Sequence, residues 1–339
     1  MSGDTSAACL PDRYTRNVVE TRDPHAKLVA DFRAGMLEAP RSLPPKYFYD
    51  DRGSQLFDAI CDTPEYYPTR LERELLEANV EAIARRAGAA TLVELGSGTS
   101  RKTETLLAAM LRAHAAVHYV ANDVCEEVLD ESAQRLLERF PRLTVDALCG
   151  DYTAALAALA AVDREPATPH LYAFLGSSLG NFEDAEAIAV LRAIRSAMHA
   201  QDRLLLGLDR VKPVAALERA YNDAAGVTAA FNLNLLAVLN RELGANFDPA
   251  QFEHRAPFVS KGSRIEMHLV ARTPQVVEVS EPAVTLEIGA GEVIRTEISR
   301  KFDDAAIDLL LAGAGLRREQ EWSAGESWYS LLLLRPDTD

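Results

Sequence analysis

The sequence has little of what metal-binding, secreted or membrane proteins need. Its seven histidines show no HxH or HExxH spacing, and its four cysteines form no CxxC pair, lying far apart at Cys9, Cys61, Cys125 and Cys149. We therefore expect reduced thiols, no bound metal and a cytoplasmic protein. The first residues lack the apolar core of a signal peptide. No run approaches the roughly 18 apolar residues of a membrane span, so we expect no membrane association.

The sequence also has fewer basic residues than acidic ones. The chain has 36 Lys and Arg residues against 51 Asp and Glu residues, a formal net charge of −15. Nucleic-acid binders usually present a basic face, so we expect no nucleic-acid partner. Separately, we expect a small-molecule substrate and a monomer. At 339 residues, 48% of them hydrophobic, the chain can bury a substantial core in two domains or one elaborated domain.

The middle of the chain alternates short apolar segments with amphipathic helical ones. This rhythm predicts a parallel β-sheet with helices on both faces, the α/β class. The predicted strands cover residues 91–95, 117–124, 144–149, 170–175 and 203–208. The predicted helices between them cover residues 102–113, 126–140, 154–162 and 185–198.

The flanking regions follow a different pattern. Residues 1–24 are polar and predict an arm. Helices are expected over 26–37 and 54–60, and Thr69 with Glu72 three residues later predicts a capped helix reaching residue 87. After residue 208 the pattern predicts helix over 214–243, strands over 264–272 and within 284–298, a helix over 305–314 and a final strand over 327–335. We therefore expect a smaller domain from 25–75 and 213–300, and a nucleotide-type domain from 76–212 and 301–339.

Three features lie where an open parallel sheet binds ligands, at the carboxyl ends of its strands. Glu94-Leu-Gly-Ser-Gly-Thr-Ser follows the first strand and opens a helix, so Gly96 and its neighbours allow a ligand close to the backbone. Asp123 ends the second strand, where a carboxylate can accept hydrogen bonds from two ribose hydroxyls. Asp151 ends the third, where it can accept from an adenine amino group while Tyr152 packs on the ring.

Each feature also has a simpler interpretation, because a GxG pair is common and an aspartate after a strand often caps a helix. Their order on consecutive strands favours a nucleotide-like ligand. The dinucleotide fingerprint GxGxxG fails, since Arg101 stands at its third glycine, and no P-loop is present. Glu94 could help to hold the cationic end of a sulfonium amino acid. S-adenosylmethionine therefore fits better than NAD or ATP.

Several longer motifs carry a resemblance to a known family. From about residue 43 to the C-terminus the chain resembles the histidine Nα-methyltransferases of ergothioneine biosynthesis, within the Rossmann-like class I methyltransferases. Two departures from the family pattern, Ser178-Leu179 and Asn222, remove no residue assigned to chemistry. The matching motifs are Tyr47-Phe-Tyr-Asp, Gly53-Ser-Gln-Leu-Phe-Asp, Pro64-Glu-Tyr-Tyr-Pro-Thr-Arg, Phe174-Leu-Gly-Ser-Ser-Leu-Gly-Asn, Tyr221-Asn-Asp-Ala-Ala-Gly, Ile265-Glu-Met and Arg295-Thr-Glu-Ile-Ser-Arg-Lys-Phe, together with the glycine loop.

The resemblance implies a Rossmann-like methyltransferase sheet with a second, smaller substrate-binding domain. It implies S-adenosylmethionine as methyl donor and L-histidine as substrate, with three successive transfers to the α-amino group giving trimethylhistidine (hercynine). Tyr49 would lie near the methylated nitrogen. The cofactor residues that it implies are Gly96, Lys102, Asp123, Asp151 and Tyr152. The substrate-pocket residues that it implies are Tyr66, Gly176, Asn181, Tyr221, Met267, Glu297 and Ser299.

The substrate pocket has its own chemical logic. Residues at i and i+2 of an extended segment point to one side, so Glu297 and Ser299 can both face an imidazole, while Asn181 and Tyr221 hold the carboxylate at the other end. The alternative is that Glu297 and Ser299 only cap the helix that starts near Asp303. Core packing is likewise an alternative for the pocket tyrosines.

Other functions remain open from the sequence. The nearest is a methyltransferase of the same group acting on another aromatic amino acid, such as a tryptophan derivative. More distant ones are a methyltransferase-like binding protein without catalysis and a nicotinamide oxidoreductase. No general base is assigned, because the ordinary pKa of Tyr49 lies far above neutral pH.

Overall fold

The computed structural model describes residues 12–19, 23–161 and 168–337. Its helices are α1 Pro24–Met36, α2 Asp51–Cys61, α3 Tyr67–Ala87, α4 Thr103–Ala113, α5 Glu126–Arg139, α6 Tyr152–Ala160, α7 Asp184–Ala197, α8 Val214–Ala220, α9 Val227–Leu243 and α10 Asp304–Ala314. Its strands are β1 Tyr14–Val18, β2 Arg41–Ser42, β3 Thr91–Leu95, β4 Val117–Asp123, β5 Leu143–Cys149, β6 His170–Phe174, β7 Arg203–Asp209, β8 Phe252–Arg255, β9 Phe258–Val259, β10 Arg264–Ala271, β11 Gln275–Val279, β12 Val284–Ile288, β13 Val293–Arg300, β14 Leu316–Ala324 and β15 Tyr329–Pro336.

The main sheet has eight strands in the order β1-β5-β4-β3-β6-β7-β15-β14. The pairs from β1 to β7 are parallel, whereas β15 runs antiparallel to both β7 and β14. Helices α3, α4 and α5 contribute to the core on one face, and α6, α7 and α10 to the core on the other. Burial on both faces explains why the central strands are continuously apolar. The predicted α/β fold with a Rossmann-like sheet is confirmed.

The strand order reverses at β3, which has β4 on one side and β6 on the other. The chain moves outward through β4 and β5, then returns across β3 to form β6 and β7. In an open parallel sheet this reversal opens a crevice at the carboxyl ends of the strands. The loops after β3, β4, β5 and β6 therefore converge on one edge of the sheet.

A second, smaller sheet lies against this edge. Its path is β2-β13-β10-β8, with β9 also pairing with β10, and β11 and β12 form a separate hairpin. Helix α9 packs against β8 and β10 on one side and against α2 on the other. The short parallel pairing of β2 with β13 brings the segment after residue 42 alongside β13.

Two parts of this fold differ from the sequence prediction. The polar arm, where it is described, contains β1, which adds to the main sheet beside β5. Four of the five residues of β1 are exposed, so it carries no apolar alternation that the sequence could show. The domain boundary expected at residue 75 falls inside α3, a single helix packed on β14 and β15. The remaining arm residues, and residue 162 of a predicted helix, lie outside the described ranges.

No helix in the described ranges combines the length and the apolar character needed to cross a bilayer.

Candidate active site

The glycine loop after β3 has backbone angles that favour glycine and is covered by the ring of Tyr152. Gly96 and Gly98 have φ angles of 67° and 48°, a region that glycine adopts readily. A Cβ atom on Gly96 would lie 2.9 Å from the Tyr152 hydroxyl oxygen, so Tyr152 covers the loop. The Gly98 N–H donates to Asp123 Oδ2 at 2.8 Å. The loop is thus tied to the end of β4.

Asp123 keeps much of its hydrogen-bonding capacity. Asp123 also accepts from the Cys125 N–H, at 3.1 Å to Oδ1, and the Val124 N–H acts on it as well, whereas a carboxylate can accept about four hydrogen bonds. Burial raises the pKa of Asp123 in spite of these N–H donors. Next to it, Ser97 Oγ and Asn122 Oδ1 are buried without a partner in the described structure. Buried unpaired polar atoms call for a water or a ligand, so the residues here fit a polar ligand such as a nucleoside.

Asp151 has a structural role that the sequence left as an alternative. Its Oδ1 accepts from the Ala154 N–H at 3.0 Å and caps α6, and its Oδ2 pairs with Lys27. Burial would raise the pKa of Asp151, but the hydrogen bonds from Lys27 and Ala154 lower it. Contact with adenine stays a prediction. The ring of Tyr152 packs edge-on to Phe174, with centroids 5.2 Å apart, and remains partly exposed above the glycine loop.

Lys102 is held by a residue that the sequence analysis assigned elsewhere. Glu72, 0% exposed, accepts from Lys102 Nζ, from the Gly176 N–H at 2.7 Å and from Tyr329 Oη at 2.6 Å. It therefore joins a predicted cofactor residue to a predicted substrate residue. The capping-box prediction is wrong, because α3 begins at Tyr67 and Glu72 lies in its second turn.

Glu94, which stands directly before the glycines, accepts hydrogen bonds from two buried hydroxyls. Its two carboxylate oxygens lie 2.7 Å from Thr103 Oγ1, and the Tyr119 hydroxyl also donates to it. Burial raises the pKa of Glu94 to about 7, although these two donors oppose the shift. Glu94 is therefore a buried acceptor that fastens α4 and β4 to β3.

Tyr49 is positioned by a tight turn between β2 and α2. Asp50 caps α2 by accepting from the Gly53 N–H at 2.8 Å. A Cβ on Gly53 would lie 1.6 Å from the Phe48 carbonyl oxygen, so only glycine permits this approach. The Tyr49 ring then packs edge-on to Phe57 and Phe231, at centroid distances of 5.7 and 5.8 Å. The motifs around residues 47 and 53 thus build the turn that carries Tyr49.

Two more tyrosines extend these rings into an aromatic cluster, defined here as Tyr49, Phe57, Tyr66, Tyr221 and Phe231. Tyr66 lies edge-on to Phe57 at 6.3 Å and to Tyr221 at 5.9 Å. The cluster joins elements far apart in the sequence.

The charges acting on Tyr49 locate it between the two sets of predicted residues. Burial raises the pKa of Tyr49 well above its ordinary value, and electrostatic interactions with Glu297, Tyr152 and Asp123 act in the same direction. Two of these groups are predicted cofactor residues and one is a predicted substrate residue. A phenol with so high a pKa stays protonated at neutral pH, so Tyr49 can donate a hydrogen bond but cannot serve as a resting base.

Glu297 and Ser299 share one face of β13. In the antiparallel ladder with β10, Glu297 pairs with Met267 and Ser299 with Ile265, and a bulge follows at Met267. Helix α10 is capped by Asp303, which accepts from the Ala306 N–H, so the capping alternative for Glu297 and Ser299 is excluded. The expected i, i+2 arrangement is therefore present, with Met267 buried beside it at 2% exposure.

Glu297 has no hydrogen-bonding partner within the described ranges. Burial raises the pKa of its carboxyl to about 7, opposed only by the charge of Lys301. Its negative potential also acts on Tyr49, Tyr66 and Tyr221, so the carboxyl faces the aromatic cluster. A partly buried carboxyl without a partner beside aromatic rings is available to bind a polar, flat ligand.

Tyr221 and Ser299 are brought together, whereas the sequence placed them at opposite ends of a substrate. Their hydroxyl oxygens are 2.7 Å apart, and Lys301 Nζ donates to both. Asn181 ends the turn Ser178–Asn181, whose Gly180 approaches the Arg300 backbone closely, so this turn lies beside the end of β13. The sequence analysis gave Lys301 no role. Lys301 continues the i, i+2 spacing of Glu297 and Ser299, but that spacing alone does not indicate a contact with Tyr221.

The described residues contain one group of three that could hold a metal ion, Asp51, Cys125 and Glu127. Both acids are exposed, and such acidic groups are common without a metal. The expectation of a metal-free protein stays a prediction.

The chain is similar to known proteins over most of its length. The family described as histidine-specific, S-adenosylmethionine-dependent methyltransferases matches residues 28–336. A histidine N-alpha-methyltransferase of Mycolicibacterium smegmatis is 46% identical over 305 residues, covering 89% of this chain and 94% of that protein. One of Mycobacterium tuberculosis is 43% identical over 309 residues, covering 91% and 95%. An L-tryptophan methyltransferase of Psilocybe serbica is 29% identical over 338 residues, covering 92% and 93%.

The family resemblance drawn from the sequence is thereby confirmed, as is the choice of S-adenosylmethionine over NAD or ATP. The chain belongs to the family of histidine-specific, S-adenosylmethionine-dependent methyltransferases.

Proposed function

We propose that this enzyme methylates the α-amino nitrogen of L-histidine, in three successive transfers that give trimethylhistidine. We further propose that it works as a metal-free monomer in the cytoplasm. The main observation in favour of histidine as substrate is the side chain of Glu297. Its carboxyl is partly buried, has no hydrogen-bonding partner within the described ranges and faces the aromatic cluster. The names of the two mycobacterial relatives support the same reaction.

S-adenosylmethionine, when bound, supplies a methyl group already activated by its positive sulfur. The chain therefore has to align the amine with that methyl group, a positioning effect, and needs no covalent nucleophile. We assign the glycine loop at Gly96 and the free capacity of Asp123 to the nucleoside. Lys102 would be oriented by Glu72, and Tyr152 would pack on the base beside Asp151.

The residues that we assign to the substrate distinguish histidine from its analogues by hydrogen bonding. An imidazole offers a donor to Glu297, and leaving that carboxyl without a partner is costly when an analogue lacks the ring nitrogen. The faces of Tyr49 and Tyr66 favour the alkylammonium that grows with each transfer, by about 0.5–2 kcal/mol. Because the Tyr49 phenol stays protonated, the amine must lose its proton to water or before binding.

Calorimetric titration with L-histidine and with L-tryptophan tests the substrate. We expect L-histidine to bind and L-tryptophan to bind far more weakly. No binding of L-histidine at millimolar concentration would refute the proposal, and preferred binding of L-tryptophan would move the enzyme toward the function that the Psilocybe serbica relative's name describes.

The variant Glu297→Ala tests the pocket. We expect the KM for histidine to rise about 10- to 100-fold, since a hydrogen bond to a charged group contributes about 1.5–3 kcal/mol, while the KM for S-adenosylmethionine stays unchanged. The matched control is Glu266→Ala on β10, because Glu266 pairs with Ile298 in the ladder and is held by Arg264 and His268. Equal losses for both ligands would contradict the role of Glu297.

A further inference from the structure

A buried ionic cluster lies directly behind Tyr221 and Ser299. It consists of Asp209, Lys212 and Lys301, whose side chains are at most 1% exposed. Asp209 ends β7 and forms an ion pair with each lysine, at 2.8 Å in the case of Lys301. The two ammonium groups thus share one carboxylate, and burial lowers the pKa of Lys212 to about 8.

The two lysines of the cluster have different hydrogen-bonding partners. Lys212 Nζ donates to Asp209, to Tyr67 Oη at 2.9 Å and to the Arg210 carbonyl oxygen at 2.6 Å. These partners are structural, and Tyr67 in turn donates to Asp209. Lys301 instead donates to Tyr221 Oη at 3.0 Å and to Ser299 Oγ at 2.8 Å. Only Lys301 connects the cluster to residues predicted to line the pocket.

Lys301 constrains the hydrogen bonding of the Tyr221 and Ser299 hydroxyls. An ammonium group only donates, so Tyr221 and Ser299 both accept from Lys301. The 2.7 Å contact between their oxygens uses the hydrogen of one hydroxyl. One hydroxyl hydrogen is then left without a use in the network. The pair therefore has one hydrogen free to donate, and a ligand that offers an acceptor satisfies it.

The positive charge of Lys301 indicates which kind of acceptor the Tyr221–Ser299 hydroxyl pair would bind. Asp209 holds the pKa of Lys301 above its ordinary value although burial opposes the charge, so Lys301 is an ammonium at neutral pH. A positive charge behind an aligned hydroxyl favours an anion in front of it. An amino-acid substrate carries one full negative charge, its carboxylate. The partly ionised Glu297, on the same strand face, would repel that carboxylate and attract the ring instead.

We propose that Lys301 is a positioning residue for the substrate: it orients the Tyr221–Ser299 hydroxyl pair so that the pair donates a hydrogen bond to the α-carboxylate, and it supplies the positive charge behind that bond. The assignment rests on the proposed function, since it takes an α-amino acid as the ligand. Lys301 itself does not touch the substrate. It lies behind the two hydroxyls, between them and Asp209.

The test compares Lys301→Met with Lys212→Met, which each remove one buried ammonium group from Asp209. Calorimetry measures the Kd for L-histidine, for L-histidinol, which lacks the carboxylate, and for S-adenosylmethionine. We expect Lys301→Met to weaken L-histidine binding about 10-fold or more, with L-histidinol and S-adenosylmethionine binding unchanged. Lys212→Met should leave all three Kd values near those of the unmodified enzyme, even if it lowers the melting temperature as much.

Each other outcome decides against the assignment. Equal L-histidine affinity in Lys301→Met and the unmodified enzyme would overturn it. So would an equal loss for L-histidinol, because the effect would then not concern the carboxylate. If Lys301→Met does not fold, Lys301→Gln, which keeps N–H donors but not the charge, must show the same selective loss at smaller size. Absence of L-histidine binding to the unmodified enzyme would instead refute the proposed function.

Discussion

Each half of the active site contains a glutamate whose pKa is raised to about 7, and the two differ in their surroundings. Glu94, on the cofactor side, is buried against Thr103 and Tyr119, which both donate to it. Glu297, on the substrate side, has no such donor within the described ranges. Burial is the main cause of both shifts. A raised pKa alone therefore does not distinguish these two acids, whereas their hydrogen-bonding partners do.

The two halves are also built differently. On the cofactor side, loops that follow consecutive parallel strands supply Gly96, Asp123 and Asp151, so topology alone brings them together. On the substrate side, a turn before α2 and the strand β13 supply Tyr49 and Glu297, two segments far apart in the sequence that the pairing of β2 with β13 brings together. The cofactor side depends on backbone position, and the substrate side on side-chain packing.

The largest effect on the cofactor half is expected from Asp123→Ala. Two ribose hydroxyls would each lose a hydrogen bond to a carboxylate, and at about 1.5–3 kcal/mol each this predicts at least ~100-fold weaker S-adenosylmethionine binding. Titration calorimetry measures the change. Asp146→Ala is the matched control, because Asp146 lies on the neighbouring strand β5 and pairs with His118 at 2.8 Å. Similar affinities in both variants would show that Asp123 does not hold the nucleoside.

The two glutamates predict opposite effects on stability. Glu94→Ala leaves the buried hydroxyls of Thr103 and Tyr119 without their acceptor and should lower the free energy of unfolding by about 2–4 kcal/mol. Urea denaturation at pH 7 measures this value. A loss under about 0.5 kcal/mol, the usual size for a surface change, would contradict the structural role of Glu94.

Glu297→Gln provides the comparison, and its sign depends on pH. The folded-state pKa of about 7 lies above the ordinary value of 4.5, so the unmodified protein loses stability as pH rises from about 4.5 through 7. Glutamine does not titrate. The variant should therefore match the unmodified protein below pH 4.5 and become the more stable of the two above pH 7. A variant less stable than the unmodified protein at pH 8 would show that Glu297 has a partner in the free enzyme.

The smallest effect is expected within the glycine loop. Gly96→Ala and Gly98→Ala both place a Cβ at positive φ, at a cost of about 1 kcal/mol of stability each. Only at Gly96 would the Cβ meet Tyr152, whereas nothing lies within 4 Å at Gly98. Gly96→Ala should therefore weaken S-adenosylmethionine binding several-fold more than Gly98→Ala. Equal affinities would mean that Tyr152 does not cover the ligand.

Much of the cofactor half could be predicted from the sequence, because alternating strands and helices fix the sheet and the sheet fixes where its loops meet. The i, i+2 relation of Glu297 and Ser299 was likewise readable from strand geometry. Other features leave no such pattern. The strand β1 is exposed and polar, and Glu72 has the spacing of a helix cap although it is buried in the interior. Lys301 became meaningful only through its contacts with Tyr221 and Ser299.

Mass spectrometry of one competition reaction tests methylation of the α-amino group of L-histidine directly. The enzyme is incubated with S-adenosylmethionine and equimolar L-histidine and L-tryptophan, and the products are fragmented to locate each methyl group. The account predicts histidine carrying three methyl groups on its α-nitrogen and unmodified tryptophan. Methyl groups on tryptophan or on the imidazole ring, or no transfer to histidine, would contradict it.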